Sequence, residues 1–159
     1  MTIEVRRFGV GHRRPDGPSG TVGIEGQVIV SGATGMIAEL AFGRRAHIVP
    51  HANPNATWFL VIEGGGWVGV GDERTRVTAG EAVVWPPDVL HAAWTDGVPM
   101  RAIVVELAED PKLLSWDGET TEGDGSPAPR PARPVTRGEG SLAPRPARRR
   151  PEAAEGEPD

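Results

Sequence analysis

Two of the chain's four histidines, His51 and His91, stand where an imidazole can do chemistry. His51 lies in VPHANPNATWFLVIEG, residues 49–64, just upstream of an apolar run that begins after Thr57. His91 follows the turn-forming sequence Pro86-Pro87-Asp88. A first-row transition metal needs several imidazole or carboxylate ligands converging on one point. An imidazole near its ordinary pKa of about 6.5 can also act as a general acid or base with no metal at all. A strand offers two ligands at alternate positions, because every second side chain points to the same face. By that rule the companion of His51 is Val49, which binds no metal. His47 shares the face, but four strand residues separate it from His51 by roughly 13 Å, too far for one ion to bridge.

The elements that would hold these residues read as strands. Short segments rich in Val and Ile, punctuated by Gly, Pro, Asn and Asp, fall at 2–8, 21–31, 35–42, 46–51, 57–63, 66–71, 74–78, 81–85, 90–95 and 99–107. No helical periodicity persists over ten residues before about 107–114, and GVGDERT at 69–75 carries a hairpin turn. The pattern predicts an all-β sandwich or barrel over 1–116.

Two glycine-punctuated blocks then stand out. The first runs from Gly43 through five residues to Val49-x-His51, and from Thr57 through six residues to Gly64. The second runs from Gly80 through five residues to Pro86-x-Asp88, then His91, then Thr95. In spacing they resemble the two motifs of the cupin superfamily over about residues 35–107. The resemblance implies a single antiparallel jelly-roll barrel, with the punctuating glycines at turns between strands. It also implies a site where two histidines and a glutamate of the first motif join one histidine of the second around a divalent metal such as Fe, Ni, Zn or Mn. Residue by residue, the second and last histidines fall on His51 and His91, and the first falls on Val49. The glutamate falls on Asn55, Ala56 or Thr57, none of them a carboxylate. Asp88 replaces the motif glycine and Thr95 the asparagine. Two of four ligands remain, enough to hold zinc, nickel or copper loosely.

If His51 faces inward, alternation also turns His47, Val49, Thr57, Phe59, Val61, His91, Ala93 and Thr95 inward. The expected interior is apolar with two imidazoles and two hydroxyls at its mouth, a composition suited to a small organic ligand. The opposite face carries Trp58, Leu60, Ile62 and Trp94. Such a face needs a cover, either residues 1–42 or, as the resemblance implies, a second copy in a homodimer.

Composition bounds the rest. The chain has 159 residues, a formal net charge of −5 and no cysteine, which excludes disulfides and thiolate chemistry. No apolar run reaches the roughly 18 residues of a membrane span, and the N-terminus lacks a signal-peptide core, so a cytoplasmic protein is expected. The acidic balance gives no reason to expect nucleic acid. Residues 117–159 hold eight of the sixteen prolines and no aromatic residue, with APRPAR at 128–133 and again at 143–148. A disordered tail is expected there, because so little apolar surface cannot offset the ordering entropy. Three functions stay open: an enzyme of dioxygenase or isomerase type with His51 and His91 catalytic, a ligand-sensing module, and a structural dimer with a vestigial pocket.

Overall fold

The computed structural model describes residues 1–109 and, beyond them, residues 115, 118, 120, 126–127 and 136–137. Its strands are β1 (Arg14–Pro15), β2 (Val22–Ser31), β3 (Gly35–Ala52), β4 (Ala56–Val70), β5 (Glu73–Thr78), β6 (Ala82–Trp85), β7 (His91–Trp94) and β8 (Met100–Leu107). Two dipeptides complete them, β9 (Ser126–Pro127) beside β5 and β10 (Thr136–Arg137) beside β3. Apart from residues 118, 120 and these dipeptides, 117–159, and with it most of the expected tail, lies outside the described residues. Among those described there is no helix, and so none long and apolar enough to cross a membrane. The all-β barrel expected from the sequence is the fold.

Two long strands make the barrel. The first half of β3 pairs with β8 and its second half with β7, while β2 runs along it antiparallel. The first half of β4 pairs with β6 and β8, and its second half with β5 and β7. The sequence splits each of these strands in two at Gly43 and at Gly64–Gly65, where turns were expected. The structure instead continues the strands through those glycines as corners. At Gly64, φ is 69° and a Cβ would collide with the Pro99 carbonyl oxygen, so only glycine turns this corner without displacing β8. The Gly43 corner is tied by Thr95, whose hydroxyl donates to the Gly43 carbonyl and accepts from the Ala46 N–H.

Inward positions follow alternation on each strand. Met36, Ala38, Leu40 and Phe42 of β3 are buried, as are Thr57, Phe59 and Val61 of β4 and Met100, Ala102, Val104 and Glu106 of β8. Phe59 sits fully buried at the centre, edge-on to Phe42 and stacked on Trp85 at 4.8 Å. Each of the larger apolar side chains among these contributes on the order of 1.5–3 kcal/mol by leaving water.

Residues 2–8 form no strand. Ile3 and Val5 of that segment are exposed, and the chain is instead fastened at 9–15. Gln27 accepts from the Gly9 N–H, and Arg13 reaches Glu39, which lies fully buried on the outer side of β3. Arg101 closes on the same carboxylate and on Glu63. Burial alone would raise the Glu39 pKa, but the hydrogen bonds and charges of Arg13 and Arg101 outweigh it and hold the carboxyl below its usual range.

The outer aromatics have separate covers. Trp94 lies parallel to its cross-strand neighbour Trp67, centroids 6.1 Å apart, with the Arg74 and Arg76 guanidiniums over the Trp67 ring. Trp58 belongs instead to an apolar row crossing five strands: Val30, Ile37, Val105, Trp58 and Val84.

Candidate functional site

The imidazoles of His51 and His91 meet inside the barrel. The residues are paired across β3 and β7, their ring centroids are 4.4 Å apart, and both are buried. Each Nδ1 lies at hydrogen-bond distance from the carbonyl two residues earlier: Val49 for His51 at 2.9 Å, Val89 for His91 at 3.0 Å. An Nδ1–H donating to a carbonyl leaves Nε2 as the acceptor. The backbone therefore sets the same tautomer in both rings and directs both Nε2 lone pairs away from the strand.

A bulge produces this pairing. Ile48 stands opposite Ala93 and His51 opposite His91, so β3 spends three residues where β7 spends two. The extra residue breaks the strict alternation assumed from sequence. Ile48 joins the apolar core, whereas His47, expected to face inward, is exposed opposite Trp94. Val49 is buried within the bulge and contributes its carbonyl to His51.

His91 is enclosed by aromatic surface. Trp85 lies flat on it, centroids 4.3 Å apart at 15°, and Phe59 covers the other side of Trp85. Burial first, then the neighbouring His51, push the His91 pKa down to about 3, against a smaller opposing effect of the Val89 carbonyl. At neutral pH this ring is an uncharged hydrogen-bond acceptor.

The other expected site residues divide. Thr57 pairs with Trp85 on one side and shares its buried face, placing its hydroxyl in the layer of the histidines. Phe59 and Val61 belong to the apolar core beneath it. Thr95 is buried, but its hydroxyl is taken up by the Gly43 corner. Trp85 and Glu106 are interior residues that sequence reasoning left out. The signal for Trp85 was its place one residue before the Pro86-Pro87 turn, at the inward phase of β6. Glu106 had no local signal beyond its phase with Ala102 and Val104.

The two imidazoles fall short of a four-ligand metal centre. Among the described residues no third histidine, aspartate or glutamate stands within coordination reach of the pair. Neither Val49 nor any of Asn55, Ala56 and Thr57, on which the other two ligand positions of the resemblance fall, offers an imidazole or a carboxylate.

A barrel of bent strands with an imidazole from each of two motif-bearing strands defines a cupin domain. Residues 37–106 match the family model described as "Cupin domain". The chain thus carries a small cupin domain. No curated protein matches its sequence. Among solved structures it is similar to the polyketide cyclase RemF from Streptomyces resistomycificus, with 20% identity, 70% of this chain and 82% of that one covered, and a TM-score of 0.59. It is similar to a cupin-like protein from Thermotoga maritima at 20% identity, covering 72% and 92%, with a TM-score of 0.56. KdgF from Halomonas sp. is 22% identical, covering 63% and 94%, with a TM-score of 0.52. At these identities the likeness is one of fold.

Proposed function

We propose that this cupin domain binds a small organic molecule inside the barrel, at the layer formed by His51, His91, Trp85 and Thr57. One observation carries the reading: three buried polar atoms of that layer, Thr57 Oγ1, Trp85 Nε1 and His91 Nε2, have no hydrogen-bond partner among the described residues. Buried polar groups are nearly always satisfied, and each one left alone costs about 1–3 kcal/mol. The indole offers a donor, the imidazole an acceptor and the hydroxyl both, set among Phe59 and the apolar core. A ligand with its own donor and acceptor satisfies all three.

A proton-transfer reaction of isomerase type fits this donor set better than oxygen activation, which needs more ligands than two imidazoles. In that chemistry His51, the less buried ring, moves the proton while His91 accepts a hydrogen bond from the substrate. A loosely held divalent ion is the lesser variant, and simple ligand sensing uses the same contacts. The cyclase activity of RemF lends support, since a barrel of this fold acts there on a small molecule. Chelator-treated protein, titrated with a metabolite collection and followed through the Trp85 indole N–H resonance, tests the reading. No compound moving that resonance, with or without added Zn2+ or Ni2+, would sink it.

A second reading concerns assembly: the row Val30, Ile37, Val105, Trp58 and Val84 forms the contact of a homodimer. Val30 and Ile37 of this row are exposed, which favours a covering surface.

A further inference from the structure

The interior side chains of the barrel lie in rows across the strands, and the rows differ in polarity. One row runs Ala38, Val104, Phe59 and Val83 across β3, β8, β4 and β6, and is wholly apolar. The adjacent row, nearest the 53–55 loop, runs Met36, Glu106, Thr57 and Trp85. Thr57 is only 1% exposed and Trp85 3%. The Trp85 ring stacks on Phe59 at 4.8 Å and on His91 at 4.3 Å, so the plane of the indole is held and its N–H points in a fixed direction. Neither that N–H nor the Thr57 hydroxyl has a hydrogen-bond partner among the described residues.

Resting on the reading that this layer binds the ligand, we propose that Thr57 and Trp85 are its specificity-determining pair, two donors that close on one oxygen of a neutral carbonyl compound. The two residues are direct neighbours across the β4–β6 ladder, and both are buried on its interior face. Cβ atoms so placed stand about 5 Å apart, which lets two polar groups reach a single atom between them. An indole N–H only donates, so the ligand atom that meets it is an acceptor. The Thr57 hydroxyl turns about its C–O bond and supplies a second donor to the same atom. A carbonyl oxygen offers two lone pairs in one plane and accepts both. An ionised carboxylate would need a charged partner to enter so dry a layer, and the buried residues described include no lysine or arginine. The apolar row beneath, with Phe59 at its centre, receives the carbon body of the ligand. Packing alone does not account for an indole here, because a phenyl ring would fill the stack without burying an unpaired donor.

Three probes of one shape test this on the full chain: acetophenone, α-methylstyrene, which carries a CH2 group in place of the carbonyl oxygen, and benzoate. Affinities are read by titration calorimetry while the Trp85 indole N–H is followed by NMR. Acetophenone is expected to bind at least tenfold tighter than either of the others and to move the Trp85 N–H proton downfield, as a new acceptor does. Trp85→Phe keeps a ring in the stack without its donor, and should cut the preference for acetophenone over α-methylstyrene to threefold or less. Thr57→Val should do the same, and it keeps the test open if Trp85→Phe does not fold. Thr57→Ser, which returns the hydroxyl, should restore the preference. Equal binding of acetophenone and α-methylstyrene by the native chain overturns the assignment while leaving an interior ligand site standing, and so does a preference that persists in both Trp85→Phe and Thr57→Val. If no probe binds or moves the Trp85 signal, the interior site falls and the role of the pair falls with it.

Discussion

Trp85 lies flat on His91 at 4.3 Å, and His91 touches His51 on its other side. The stack encloses an imidazole whose protonated form has little solvation. Its pKa in the folded chain, about 3, lies below the 6.5 of an open chain. Above pH 6.5 both states carry the ring neutral. Below it the unfolded chain takes up a proton that the folded chain refuses, so stability falls as pH drops towards 3, by up to about 1.4 kcal/mol per unit. His91→Gln should flatten that stretch of the profile. Urea midpoints measured in EDTA from pH 7 to 4 check it, and parallel slopes for the two proteins would contradict the burial argument.

Asp88 holds φ at 60° in the turn that delivers the Val89 carbonyl to His91, at the position where the cupin motif has glycine. The left-handed region costs a side-chain-bearing residue roughly 1–2 kcal/mol. Asp88→Gly should leave stability level or raise it by up to about 1 kcal/mol, and Asp88→Val should lower it by more than that. Thermal melts of the two variants decide the matter; equal losses would mean that the Asp88 side chain, and not the backbone, holds the turn.

Glu39→Gln removes the carboxylate shared by Arg13 and Arg101. Both guanidiniums keep some contact with water, so the loss should be about 2 kcal/mol, below that of a wholly buried pair. Because the Glu39 pKa is lowered, its contribution is present above pH 4.5 and fades as pH falls below it. Hydrogen exchange should show residues 9–13 opening first. Unchanged protection there would detach this cluster from the N-terminal loop.

The missing ligand positions permit a direct test. Val49→His with Thr57→Glu should raise nickel affinity by a hundredfold or more over the native chain, as measured by titration calorimetry. Affinity equal to that of the native protein would mean that the bulge at 49–50 has turned the first position away from the histidine pair.

Light scattering at micromolar concentration is expected to give twice the chain mass, and Trp58→Glu should return the monomer. A native monomer would remove the dimer reading and leave the Trp58 row as ordinary surface.

The barrel was legible because glycine spacing and β-rich segments are local properties. The two imidazoles were legible for the same reason. Alternation then failed at His47, since one bulge residue shifts the phase of everything before it, and no residue type in IVPH announces a bulge. Gly43 and Gly64 were seen as turns because a tight bend and a continuous corner need the same backbone freedom. Trp85 and Glu106 were missed because their neighbours, His91 and Thr57, belong to other strands, and which strands adjoin is settled by long-range pairing.

The stacking of a polar row on apolar ones has a consequence for how such a protein changes over time. Residues 36, 57 and 106 stand outside the apolar cluster of Phe59, Val61, Val104 and their neighbours that holds the barrel together, whereas Trp85 belongs to it and stacks on Phe59. On the proposed reading, stability and choice of ligand are thereby carried by different storeys of one building. A library randomised at those three positions should yield many folded members with divergent binding.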